Sequence, residues 1–162
     1  PENLVHRDKE VALISNQSKN GVNTFIYGPS GSGKTAVLKR VCFESSSTER
    51  RVFYVDCSLY QTVNAVLREI LSDRLVFSRS NYDLLKKLKE RTLQRKATIC
   101  LDHFERIKEP ELVTKLIGIG LSVVMAGNNE DNLEQLDLRT RSFISSIVVV
   151  RMADSPTRVG FS

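Results

Sequence analysis

The chain has 162 residues, 41% hydrophobic and 27% charged, which suits one soluble globular domain with a real core. Its longest mostly apolar run, 116–127, is too short and too glycine-rich to span a bilayer, and no secretory signal is visible. A net charge of +5, from 24 basic and 19 acidic residues, permits contact with nucleic acid without requiring it.

In chain order, the short β-prone run Thr24-Phe25-Ile26-Tyr27 predicts a strand. It leads into Gly28-Pro29-Ser30-Gly31-Ser32-Gly33-Lys34-Thr35, which spells G-x-x-x-x-G-K-T, the phosphate-binding loop of P-loop NTPases. A triphosphate needs many donors at close range. Glycines let backbone N–H groups wrap around it. Lys34 is placed to reach the β- and γ-phosphates, and the Thr35 hydroxyl to ligate Mg²⁺. A helix over 36–43 follows, with its apolar stripe at Val37, Leu38 and Val41, and its positive dipole end faces the loop.

Ser45-Ser46-Ser47-Thr48 reads as a loop, and 51–56 as a strand. Residues 61–71 form an amphipathic helix pattern, with Val63, Val66, Leu67, Ile70 and Leu71 on one face. A second helix is predicted over 81–95, its apolar face at Leu84, Leu85 and Leu88. Strands at 97–102 and 121–127, a short helix at 110–117 and a last strand at 147–151 complete the pattern. Near-continuous apolar strands separated by helices predict an α/β fold: a five-stranded parallel sheet covered by helices on both faces. Cys42, Cys57 and Cys100 are few and far apart. They read as buried small hydrophobes in a reducing compartment, without a metal-binding spacing.

Ligands in such sheets sit at the carboxyl ends of the strands. Asp102 ends the 97–102 strand, where a carboxylate can hold Mg²⁺ directly or through water, or cap a turn. Asn128 follows the 121–127 strand, where an amide can orient water or touch the γ-phosphate, or serve a left-handed turn.

Together these segments resemble the ATPase domain of the replication-initiator family, the archaeal and eukaryotic origin-recognition and cell-division-control ATPases of the AAA+ class. Phe25 to Thr35 resembles the family's IYGPTGTGKT segment, and Val52 to Cys57 its V-Y-V-N-C strand. Leu101-Asp102-His103-Phe104-Glu105 stands at its LDEID. Ala126-Gly127-Asn128 through Leu136-Asp137-Leu138-Arg139-Thr140-Arg141-Ser142 resembles its ISN…LDPRVRS. Pro1 to Glu10 is similar to its N-terminal box.

The resemblance covers residues 1–150 and implies an AAA+ domain over 1–151, binding ATP or ADP with Mg²⁺. It implies that Val5, His6 and Arg7 lie near the adenine, and that Arg139 or Arg141 acts on a neighbouring protomer's nucleotide in a homo- or hetero-oligomer. Implied partners are double-stranded DNA and other initiator subunits, with no membrane. The implied location is cytoplasmic and nucleoid-associated in a prokaryote, nuclear in a eukaryote. An inserted helix of the family falls near 71–80, which makes Arg74 and Arg79 candidate phosphate contacts, or merely solvated residues.

Two departures shape the expectations. The family's water-polarising Glu is His103 here, and Glu105 is the nearby acidic substitute, facing the same side if the strand persists. Binding of ATP with slow or absent hydrolysis is expected. Family members continue past the position of Ser162 into a helical lid and a winged-helix domain, so the chain reads as an excised fragment or a degenerate stand-alone domain, with 152–162 as a tail or linker; without the lid, weaker nucleotide binding and freer exchange are expected. Two other readings stand beside the initiator: a nucleotide-stabilised interaction module, and an ATPase of another P-loop branch, of the transposition or defence type.

Overall fold

The computed structural model describes residues 8–72 and 80–148. Helix α1 is Asp8–Lys19, strand β1 Asn23–Tyr27, α2 Lys34–Ser45, β2 Arg50–Asp56, α3 Val63–Leu71 and α4 Asn81–Arg91. They are followed by β3 Lys96–Asp102, α5 Glu111–Gly118, β4 Ser122–Gly127, α6 Leu138–Ser142 and β5 Ile144–Val148. Two 3₁₀ turns, Phe104–Arg106 and Glu130–Gln135, follow β3 and β4.

All described strand pairs are parallel, in the order β2-β3-β4-β1-β5. Successive side chains point to opposite faces of a strand, so each strand feeds two cores. Phe25, Ile99, Leu101, Val123 and Met125 face α3, α4 and α5, where they meet Val66, Leu67, Leu84, Leu112 and Leu116. Ile26, Cys100, Val124 and Ala126 face α1 and α2, where they meet Val11, Ile14, Val37, Leu38 and Val41. The result is the expected three-layer α/β arrangement. Each fully buried aliphatic side chain in it contributes about 1.5–3 kcal/mol.

Local chemistry sets the element ends. Thr62 accepts from the Ala65 amide at 3.1 Å and starts α3, and Ser80 does the same for Asp83 at 3.1 Å and starts α4. Helix α4 stops at Arg91, not Arg95, because the Thr92 hydroxyl turns back onto the carbonyls of Leu88 and Lys89, each at 3.0 Å. Strand β5 begins at Ile144, three residues before the expected 147, and is described to Val148; residues 149–151 of the expected strand lie outside the described residues. Ser145 and Ser146 are exposed yet pair with Thr24 and Phe25 of β1, so pairing overrides polarity there. Among the described residues no helix is long and apolar enough to cross a membrane. Cys57 and Cys100 are buried as expected, while Cys42 is only half-buried.

Candidate nucleotide site

The register brings four strand ends to one edge of the sheet. Tyr27 of β1 pairs with Gly127 of β4, Leu101 of β3 with Met125 of β4, and Asp102 of β3 with Asp56 of β2. Above these ends lies a cleft of about 310 Å³. The glycine-rich loop supplies Ser30, Gly31, Gly33, Lys34 and Thr35 to its wall. The ends of β3 and β4 supply Asp102, His103, Glu105 and Asn128.

The loop takes its shape from two left-handed residues, Gly31 at φ +82° and Gly33 at φ +90°. Any side chain would be strained in that conformation. Gly33 is the N-cap of α2, and no side chain caps that helix end. Its first amides therefore remain available to an anion. Lys34 Nζ donates to the carbonyls of Gly28 (2.6 Å) and Pro29 (2.9 Å), with Ser32 Oγ at 3.4 Å. Burial lowers the Lys34 pKa from its usual value, against the pull of Glu105 and Asp102. Thr35 is half-buried at the cleft wall, and Ser32 is buried under the loop.

Asp102 is 1% exposed, yet its carboxylate reaches the cleft. Its Oδ2 accepts from the Tyr54 hydroxyl at 2.5 Å, and its Oδ1 from the His103 amide at 2.9 Å. Burial, and then the adjacent Asp102 carboxylate, push the Tyr54 phenol well above its ordinary pKa, so it stays a donor. Each Asp102 oxygen still has a lone pair to offer. A hydroxyl at Thr35 and one carboxylate at Asp102 make the oxygen donor set that Mg²⁺ takes when phosphates and water complete its shell. Among the described residues no larger cluster of metal ligands exists.

His103 departs from the expected geometry. Strand β3 ends at Asp102, and His103 adopts φ +53° before the 3₁₀ turn at Phe104. The persisting strand expected to carry Glu105 is absent, and the turn carries Glu105 to the cleft instead. The His103 ring is held by Asp56: Nδ1 lies 3.1 Å from Asp56 Oδ1. Burial works to raise the Asp56 pKa, but hydrogen bonds from Ser58 and the nearby His103 outweigh it and hold the carboxyl below its ordinary range. Sequence reasoning passed over Asp56 and Tyr54. The one available signal was that Asp56 stands where the family's V-Y-V-N-C strand has Asn.

Asn128 and Asn129 divide the work at the end of β4. Asn129 caps the following turn, accepting from the Asp131 amide at 2.8 Å, while Asn132 Oδ1 accepts from the Asn129 amide at 3.1 Å. Asn128 is thereby left at the cleft. Arg139 and Arg141 sit on α6 and do not line this cleft; Arg139 is exposed and Arg141 half-buried. Val5, His6, Arg7, Arg74, Arg79 and the 152–162 segment lie outside the described residues.

The AAA domain sequence pattern matches residues 18–136. An ORC1-type DNA replication protein of Archaeoglobus fulgidus is 25% identical over 177 aligned residues, covering 93% of this chain and 43% of the relative. An uncharacterized ATP-binding protein of Methanocaldococcus jannaschii is 29% identical over 89 residues, covering 54% of this chain and 23% of the relative. The crystal structure of Cdc6p from Pyrobaculum aerophilum superposes with a TM-score of 0.72 at 22% identity, over 93% of this chain and 46% of that one. A structure of Drosophila ORC bound to AT-rich DNA and Cdc6 gives 0.63 at 14% identity, over 91% and 59%. The structural likenesses show a shared fold, and the resemblance to replication-initiator ATPases is borne out. The chain spans less than half the length of either curated relative.

Proposed function

The chain belongs to the AAA domain family, and on that premise we propose that it binds ATP or ADP with Mg²⁺ in the cleft and hydrolyses ATP slowly or not at all. One observation carries the reading. The phosphate-binding loop and the ends of β3 and β4 converge on a single cleft that gathers Lys34, Thr35, Asp102 and Asn128. In this reading the amides of Gly31 to Thr35 and the Lys34 ammonium bind the phosphates. Lys34 exchanges its bonds to the Gly28 and Pro29 carbonyls for phosphate oxygens. Thr35 and Asp102 would hold Mg²⁺, which neutralises charge on the phosphates when bound. Asn128 senses the γ-phosphate.

Slow hydrolysis follows from His103. The family's acid at that position is replaced, and the imidazole is tied to Asp56. Glu105 is the carboxylate left at the cleft to orient water. The same observation favours a second reading, a nucleotide-stabilised interaction module in which bound nucleotide is structural.

The domain would span 1–151 and lie within a replication-initiator-like protein. Val5, His6 and Arg7 would contact adenine. Arg139 or Arg141 would reach a neighbouring subunit's nucleotide. Double-stranded DNA and other initiator subunits are the proposed partners, with Arg74 and Arg79 as DNA contacts. The proposed location follows the organism: nucleoid-associated in a prokaryote, nuclear in a eukaryote.

Titration of the chain with a fluorescent ADP analogue and Mg²⁺ tests the reading. Saturable binding abolished in Lys34→Ala is expected. Equal binding by wild type and Lys34→Ala would overturn it.

A further inference from the structure

The positive charge of this chain is not concentrated at the nucleotide cleft. That cleft holds Lys34 against Asp102 and Glu105. The opposite pole, at the amino ends of β2 and β3, is different. There an open cleft of about 690 Å³ is walled by Lys19, Arg50, Arg95 and Lys96, with Glu49 as its one carboxylate among the described residues.

Arg50 makes this more than a scatter of surface lysines. It is 8% exposed and is held in place from inside. Its Nη1 donates to Thr98 Oγ1 (2.9 Å) and Ser122 Oγ (3.2 Å), with the Ala97 carbonyl at 3.5 Å. All three partners are neutral. Among the described residues no carboxylate lies within ion-pair distance of Arg50, and no acceptor meets its Nε or Nη2. Burial accordingly lowers its pKa from the usual arginine value. A fixed, buried cation without a counter-charge is costly in isolation, and an arriving anion would complete it.

The cations continue beyond this cleft. Arg95 also borders a smaller one of about 80 Å³, whose wall adds Arg51 and Arg91 and, among the described residues, no acid. Arg51 lies over the Phe53 ring, 4.7 Å from its centroid, which holds that guanidinium on the β2 edge. Six cations thus run across two adjoining clefts, from Lys19 to Arg91. A single phosphate needs only one or two of them. A linear polyanion uses the whole run and releases a counterion at each contact.

We propose that this run, with Arg50 at its floor, binds the phosphodiester backbone of nucleic acid, on the pole of the sheet opposite the nucleotide cleft. The six residues are other than Arg74 and Arg79, and the proposal does not depend on nucleotide binding.

The test is fluorescence anisotropy with a labelled 30-mer, as single strand and as duplex, over a salt series. Wild type is set beside Arg95→Ala/Lys96→Ala and Arg74→Ala/Arg79→Ala. Arg95 and Lys96 are both exposed, so the first variant keeps its fold. It should bind at least about tenfold more weakly, and its log–log salt slope should fall by about 1.8 for duplex or about 1.4 for single strand. Binding of the ADP analogue should be unchanged. Arg50→Lys, which keeps the charge but loses the fork, should show a smaller loss in the same direction.

Unaltered affinity and slope in Arg95→Ala/Lys96→Ala would overturn the proposal, including the case where only Arg74→Ala/Arg79→Ala loses binding. Absence of oligonucleotide binding would also overturn it. So would binding confined to tripolyphosphate or to polyglutamate, which would mark a small-polyanion or an acidic-peptide site instead.

Discussion

His103 Nδ1 lies 3.1 Å from Asp56 Oδ1, so the residue that replaces the usual acid after β3 is bound to the end of β2. The pair has a consequence for restoring hydrolysis. A carboxylate placed at 103 by His103→Glu would face the Asp56 carboxylate, and like charges at such range raise a carboxyl pKa and push the groups apart. His103→Glu alone is therefore expected to gain little ATP turnover. Asp56→Asn/His103→Glu removes the repulsion and is expected to gain clearly more, by at least tenfold over wild type. Phosphate release under single-turnover conditions checks both. A double variant no faster than His103→Glu would show that the pair does not limit the site.

Tyr54 and Asp102 make a second link, at 2.5 Å, onto a buried carboxylate. Tyr54→Phe keeps the ring and removes only the hydroxyl, leaving a buried carboxylate oxygen short of a partner. The cost is about 1–3 kcal/mol. Thermal unfolding without nucleotide is expected to fall by about 2–4 °C for each kcal/mol lost. A Tm equal to that of wild type would mean that water replaces the hydroxyl without penalty.

These two links also show where the sequence was legible and where it was not. The phosphate-binding loop, the buried strand ending in Asp102 and the three-layer order were readable because each depends on neighbours in the chain. The Asp56–His103 contact joins residues 47 positions apart and exists only because parallel pairing sets Asp56 beside Asp102. Helix α1 hid for another reason: its buried face includes Ser15 and Ser18, which blur the apolar stripe. The start of strand β5 was missed because its paired residues Ser145 and Ser146 are polar and exposed. Asn128 was named from its place after the 121–127 strand, whereas the cap that ties Asn129 to the next turn left no signal that was read.

Gly127 occupies the tightest of these positions. A Cβ there would stand 2.4 Å from Asn132 Oδ1 and 3.0 Å from the Phe25 ring. Gly127→Ala must therefore drive Asn132 away from the Asn129 amide and crowd a buried aromatic. Destabilisation of about 1–3 kcal/mol is expected in urea unfolding. Because Asn128 adjoins the displaced turn, ADP-analogue affinity should fall as well. A variant with wild-type stability would show that the β4 end can shift as a unit.

Thr62→Ala removes the α3 cap at a residue that does not line the cleft. The Ala65 amide loses its acceptor at 3.1 Å, and stability should fall by about 1 kcal/mol in urea unfolding with nucleotide binding unchanged. Reduced nucleotide affinity at full saturation of the folded form would instead tie α3 to the site.

The three thiols should differ in reactivity, because the thiolate is the nucleophile. A hydrogen bond from Cys100 lowers the Cys42 pKa, against the opposing effect of burial. The same bond, followed by burial, raises Cys100 well above its usual value. Burial, and then the carboxylates of Asp56, Asp102 and Glu105, push Cys57 up to about 12. Cys42 is also the most exposed of the three. Iodoacetamide at pH 8 should therefore label Cys42 first in the native protein, with Cys57 and Cys100 protected until denaturant is added. Peptide mass mapping over time reads this directly. Early labelling of Cys57 would mean that the end of β2 opens in solution, and with it the contact between Asp56 and His103.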